Sequence, residues 1–138
     1  MYSAETQLRV RYGETDKMGM VYYGNYPLYF EVGRTNLMRD LNLTYRSIEN
    51  NGIVLPVTEL SIKYHYPAGY DDLLTIKTTI PVMPSVKILF NYEIFNDDGK
   101  LVVTGNTVLV FMNDKTRRPT RPPEDFIEKI KPFFQQSL

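Results

Sequence analysis

Asp16 is the residue whose surroundings most invite chemistry. It lies in Tyr12-Gly13-Glu14-Thr15-Asp16-Lys17-Met18-Gly19, and the pattern places a helix start about nine residues later, near Asn25. The first N–H groups of a helix lack intrahelical partners and attract anions and developing oxyanions. A carboxylate held opposite them can attack an acyl carbonyl or activate a water, while the N–H groups stabilise the tetrahedral oxyanion. A loop aspartate near a glycine is also an ordinary turn residue. Spacing alone leaves both roles open.

The elements around Asp16 can be read from periodicity. Residues 7–12 alternate, with Leu8, Val10 and Tyr12 on one face and Gln7, Arg9 and Arg11 on the other, which predicts a strand. Asn25 suits an N-cap and Pro27 suits the first helical turn. Tyr26, Phe30, Gly33, Leu37 and Leu41 then recur at steps of three or four. Leu28, Tyr29 and Val32 widen that face, so the helix is expected to be wrapped by other elements. A glycine inside a helix costs about 1 kcal/mol relative to alanine, so Gly33 implies close approach to a sheet. A break is expected near Asn42 and a stop at Gly52.

Four strand-like runs follow, at 53–66, 73–82, 86–95 and 100–112, the last two joined by a tight turn at Asp97-Asp98-Gly99. After a polar, proline-rich stretch at 113–123 the chain closes with a short amphipathic helix carrying Phe126, Ile127, Ile130 and Phe134. The order predicts an α+β fold, an antiparallel sheet curled around one long early helix, with residues 1–138 as a single domain.

Composition narrows the function. Lys plus Arg and Asp plus Glu each number 16, a zero net charge that argues against a nucleic-acid binder. There are no cysteines, which excludes disulfides, thiolate metal sites and cysteine nucleophiles. No run approaches the roughly 18 apolar residues of a membrane-spanning helix. The start lacks the plan of a signal peptide, so a cytoplasmic protein is the expectation.

The stretch from Tyr12 to Tyr26, Tyr-Gly-Glu-Thr-Asp-Lys-Met-Gly-Met-Val-Tyr-Tyr-Gly-Asn-Tyr, resembles the active-site segment of the 4-hydroxybenzoyl-CoA thioesterase family, which includes the YbgC-type acyl-CoA thioesterases. Phe30-Glu31 with Arg34-Thr35 resembles the early part of that family's central helix. The turn from Pro67 to Ile76 and the strand from Val108 to Asn113 resemble later segments in the same order. The resemblance implies the hot-dog fold, a five-stranded antiparallel sheet wrapped around a long helix, and an enzyme that hydrolyses acyl-CoA without cofactor or metal. It implies Asp16 as nucleophile or general base, with backbone N–H groups around Tyr23 and Gly24 polarising the thioester carbonyl. It also implies a homodimer or homotetramer. Tyr23 departs from the many YbgC-type members that carry histidine there, but the 4-hydroxybenzoyl-CoA enzyme has tyrosine.

Other residues receive readings beside this one. Tyr26 and Tyr29 are candidates for an acyl pocket, and Asn25 for either a substrate contact or simple capping. Lys87, Lys63 and Arg117-Arg118 are candidates for coenzyme A phosphates. Glu14 reads as a solvated loop charge, and Glu31, set in an apolar helix, as a carboxylate paired near a subunit contact. His65, the only histidine, shares parity with Lys63 and Ser61 and reads as exposed. Asp71 and Asp72 read as turn residues. Two rivals stand beside acyl-CoA hydrolysis: another enzyme of the same fold, either an acyl carrier protein thioesterase or a dehydratase, for whose paired histidine and acid His65 is poorly placed, and acyl-CoA binding without catalysis.

Overall fold

The computed structural model describes residues 1–134. In chain order the elements are β1 (Tyr2–Arg9), 3-10 turns at Tyr12–Glu14 and Tyr23–Asn25, α1 (Tyr26–Asp40), α2 (Tyr45–Asn50), β2 (Ile53–Val54), β3 (Val57–Tyr64), β4 (Leu73–Ile80), β5 (Lys87–Phe95), β6 (Leu101–Val110), β7 (Met112–Asn113) and α3 (Glu124–Ile130). A last 3-10 turn, Lys131–Phe133, follows α3. Five strands form one antiparallel sheet in the order β1-β4-β5-β6-β3, and β2 pairs with β7 in a small second sheet. This is the α+β arrangement expected, with α1 laid on one face of the sheet.

That face is built by alternation. β4 buries Leu74, Ile76, Thr78 and Ile80, and β5 buries Ile88, Phe90, Tyr92 and Ile94. Against them α1 buries Tyr26, Phe30, Gly33, Leu37 and Met38. Gly33 is the point of closest approach: a Cβ there would collide with the Thr78 hydroxyl and lie 2.9 Å from Ile76 Cγ2. Gly105 on β6 does the same for the opposite partner, since a Cβ would stand 2.6 Å from the Phe30 ring and 2.7 Å from the Ser61 carbonyl oxygen. Helix and sheet therefore meet through two missing side chains.

Several expectations are corrected. The first strand begins at Tyr2 and ends at Arg9, short of Tyr12, which is 78% exposed in a 3-10 turn. Its inward residues are Tyr2, Ala4, Thr6 and Leu8, and the weak hydrophobicity of Ala4 and Thr6 hides the period. The run 53–66 is two strands, because Leu55-Pro56 separates β2 from β3 and proline cannot donate to a ladder. Run 100–112 likewise hands over from β6 to β7 around Phe111. Helix α1 is not covered on all sides: Leu28 and Val32 are exposed at 57% and 43%. Glu31 is exposed on the single chain.

The predicted break near Asn42 is real, with Asn42 at φ 57°, and α2 ends before Gly52 at φ 77°. The 97–99 turn closes through Asn96, whose Oδ1 accepts the N–H groups of Asp98 and Lys100. No described helix is long and apolar enough to cross a membrane.

Candidate active site

Asp16 is fixed by its own backbone. Its Oδ1 accepts the N–H of Met18 at 2.9 Å and of Met20 at 3.3 Å. Its N–H donates to the Met20 carbonyl at 2.8 Å, and its carbonyl accepts the Gly19 N–H at 3.0 Å. The turn needs Gly19 in the left-handed region, at φ 77°. Bridges from Thr15 to Val21 and from Met20 to Gly69 then tie the loop to itself and to the turn before β4. One carboxylate oxygen is thus committed to the loop, and the other has no hydrogen-bond donor among the described residues.

Asp16 borders two cavities. One, of about 340 Å³, is lined by aromatic and apolar groups, including Tyr23, Tyr26, Tyr64, Tyr66 and Met20. The other, of about 670 Å³, is lined by Tyr12, Thr15, Asp16, Lys17, Gly19 and Tyr70. Tyr26 is buried, and burial, reinforced by the neighbouring Tyr64 and Asp72, pushes its phenol up to about 12, so it stays a neutral hydroxyl.

The turn Tyr23–Asn25 leads directly into α1. Being the first residues of a helical segment, Tyr23 and Gly24 have N–H groups without an intrahelical acceptor. The turn is held from two sides. The Tyr64 hydroxyl, on β3, donates to the Tyr23 carbonyl at 3.0 Å. On the other side, Asn25 Nδ2 donates to the Glu14 carbonyl at 2.8 Å, and the Tyr22 N–H donates to the same oxygen at 2.9 Å. The Tyr22 ring lies over Gly24, where a Cβ would stand 2.7 Å from it.

Not every candidate converges. Tyr23 and Tyr26 share the aromatic cavity with Asp16, whereas Gly24 and Asn25 belong to the same turn without lining it. Asn25 makes no side-chain cap: its backbone is already helical, at φ −86° and ψ −16°, because the 3-10 turn runs on into α1. Its amide is spent on Glu14 instead. Tyr29 turns away from the cavity, and its hydroxyl donates to Glu14 Oε1 at 3.2 Å. Lys87 opens β5 opposite Val110 and lines neither cavity. Arg117 pairs with Asp114 at 3.6 Å in the loop after β7, and Lys63 is exposed on β3.

Asp72 accepts the Gly69 N–H at 2.8 Å, and Asp71, at φ 68°, is bonded through its carbonyl to Arg9 Nη1 at 2.6 Å. Glu14 is no solvated charge: only 15% of its side chain is exposed. Burial tends to raise its pKa, but the Arg11 N–H and guanidinium, with the Tyr29 hydroxyl, more than reverse this and hold it below the ordinary value. His65 is exposed as expected, yet it lines the aromatic cavity with Asp16 and hydrogen-bonds Thr104 at 3.0 Å. Strand parity gives a residue's face but not the loop that folds over the strand's end, so this neighbour was invisible in the sequence.

Residues 10–130 match the model of the thioesterase-like superfamily. An acyl-CoA thioesterase of Haemophilus influenzae, YbgC, is 31% identical over 128 residues, which cover 92% of this chain and 90% of the relative. Among solved structures, DHNA-CoA thioesterase from Staphylococcus aureus superposes with a TM-score of 0.92 at 34% identity, covering 96% of this chain and 91% of that one. An aspartate-to-asparagine variant of 4-hydroxybenzoyl-CoA thioesterase, solved with 4-hydroxybenzoyl-CoA, gives 0.82 at 29% identity, covering 92% of this chain and 97% of that one.

Proposed function

The chain belongs to the thioesterase-like superfamily, and from that premise we propose that it hydrolyses an acyl-coenzyme A to the free acid and the coenzyme A thiol, with Asp16 as the reacting carboxylate. The observation that carries this reading is the state of Asp16. One of its oxygens is tied to the N–H groups of Met18 and Met20, and the residue stands on the wall common to two cavities. A thioester carbonyl placed there has one cavity for its acyl part and the other for its thiol carrier.

In the reaction the carboxylate attacks the carbonyl carbon, or takes a proton from a water that does. The carbonyl oxygen becomes an oxyanion, stabilised by the N–H of Tyr23, which lines the cavity with Asp16, and by that of Gly24 next along the same turn. A well-placed donor of this kind is worth roughly 3–4 kcal/mol of barrier. Collapse of the intermediate breaks the carbon–sulfur bond and releases the thiolate. If Asp16 is the nucleophile, water then hydrolyses the mixed anhydride and restores the carboxylate. Single turnover in oxygen-18 water detects the anhydride route. Label in Asp16 requires water attack on the aspartyl carbonyl of the anhydride, whereas label in the product acid follows from water attack on either the thioester or the acyl carbonyl of the anhydride.

The reading extends to assembly. β3 is one of the two outer strands of the sheet, with Val57, Leu60 and Tyr64 about half exposed. An unpaired edge of this kind is a template for another strand. Pairing it with a second copy makes a homodimer with a continuous sheet and adds partner surface beside Tyr64 and the aromatic cavity.

The test is thiol release from a panel of acyl-CoAs, short aliphatic to aromatic and long-chain, with the same acyl groups on acyl carrier protein in parallel. Release from the CoA series supports the proposal and ranks the substrates. Release only from the carrier protein series moves the function to that thioester. Thermal stabilisation by acyl-CoA without release makes the protein a binder.

A further inference from the structure

Glu14 is the most heavily bonded side chain near the site, and the chemistry above makes no use of it. Its Oε1 accepts the Arg11 N–H at 2.8 Å and the Tyr29 hydroxyl at 3.2 Å, and its Oε2 faces Arg11 Nη2 at 3.2 Å. Its carbonyl oxygen accepts the Tyr22 N–H and Asn25 Nδ2. These donors come from three places: Arg11 just ahead of the first 3-10 turn, the turn before α1, and α1 itself. Hydrogen bonds to an ionised acceptor are roughly twice as strong as neutral ones. The side chain is mostly withdrawn from water, and the Tyr29 hydroxyl, on a residue only 2% exposed, has Glu14 as its hydrogen-bond partner.

Between Glu14 and Asp16 there is little slack. Thr15 is bridged to Val21, and its hydroxyl donates to the Tyr12 carbonyl at 2.7 Å. Glu14 stands two residues before Asp16 in this loop, and its carbonyl oxygen holds the turn that carries the N–H groups of Tyr23 and Gly24. One side chain and its own carbonyl thus couple the two halves of the site.

We propose that Glu14 is a positioning residue, which clamps the Asp16 loop to the start of α1 and so sets the place of Asp16 against the N–H groups of Tyr23 and Gly24. The inference rests on the reading of Asp16 as the reacting carboxylate. It separates Glu14 from a merely structural charge, because a misplacement of about 1 Å between reacting groups lowers turnover by around a hundredfold while leaving substrate affinity.

The experiment compares wild type, Glu14→Ala, Glu14→Gln and Tyr29→Phe, with Asp16→Asn as reference, on the acyl-CoA turned over best by the wild type, reading kcat and KM separately and far-ultraviolet circular dichroism for folding. Glu14→Ala is expected to lower kcat by about 10- to 100-fold with KM within about threefold. Glu14→Gln keeps an acceptor oxygen for Arg11 and Tyr29, and is expected to recover to within about fivefold of wild type. Tyr29→Phe removes one bond of the clamp, leaves the fold in place, and is expected to lower kcat by about three- to tenfold at unchanged KM. If Glu14→Ala does not fold, the Tyr29→Phe result decides. Wild-type kcat in Tyr29→Phe together with wild-type kcat in a folded Glu14→Ala, while Asp16→Asn is inactive, overturns the positioning role alone. Full activity in Asp16→Asn overturns the reading of Asp16 itself.

Discussion

The rings of Phe30 on α1 and Tyr92 on β5 lie nearly parallel, their centroids 4.2 Å apart and their planes 6° from coincidence. Both are buried. The Tyr92 hydroxyl continues outward from this stack to Thr107 Oγ1 at 2.6 Å and receives Arg34 Nη1 at 3.4 Å. The helix is thus fastened to the sheet by an apolar stack with a polar end.

Removing that end should be felt. Tyr92→Phe keeps the stack but leaves Thr107 and the buried Arg34 without their phenol. A buried group left unsatisfied costs about 1–3 kcal/mol. The expected result is a loss in that range by urea unfolding, with turnover on the best substrate little changed. An unchanged midpoint contradicts it.

Gly105 is where the sheet accommodates Phe30. A methyl there meets the Phe30 ring at 2.6 Å and the Ser61 carbonyl at 2.7 Å, and the second contact is backbone that cannot swing aside. Overpacking of a filled core costs typically about 1–3 kcal/mol. Gly105→Ala should therefore lower the melting temperature by several degrees, and a melt within a degree of wild type means the β3–β6 ladder yields more easily than the packing implies.

Acid stability follows from Glu14. Its pKa is lowered in the folded protein relative to the ordinary 4.5, because the bonds and charge from Arg11 and the bond from Tyr29 outweigh the burial that raises it. A depressed carboxylate contributes stability that is present above the unfolded value and is lost as pH falls through the folded one. Glu14→Gln should show a shallower decline in its urea midpoint below about pH 4.5 than wild type does. Parallel declines contradict the assignment.

Much of this arrangement is visible in the chain itself. The α1 face could be read because Tyr26, Phe30, Gly33 and Leu37 repeat at helical spacing and one wall of the sheet buries all of them. Gly33 announced a close approach for a local reason, since glycine inside a helix is unfavourable without one. The turns at Gly52 and Gly99, both at positive φ, could be read for the same kind of reason. β1 could not, because Ala4 and Thr6 hold its inward face and periodicity sees only stronger contrasts.

The site divides along the same line. The residues flanking Asp16 carry a family pattern, and Asp16 with Tyr23 and Tyr26 does border one cavity. The roles of Glu14, Asn25 and Tyr29 depend on the chain returning on itself across 11 and 15 residues. A carboxylate in a loop looks solvated until the helix that covers it is in place. His65 joins Asp16 through a separation of nearly fifty residues, a relation that only the folded sheet creates.

The most direct test of the central claim follows wild type and Asp16→Asn on one acyl-CoA, measuring thiol release and, on the same protein, binding by titration calorimetry. Asparagine keeps an oxygen to accept the Met18 and Met20 N–H groups, so the loop and the binding affinity should survive. The prediction is acyl-CoA binding within a few-fold of wild type and turnover lower by about three or more orders of magnitude. Turnover in Asp16→Asn equal to wild type contradicts the assignment of Asp16 as the reacting carboxylate.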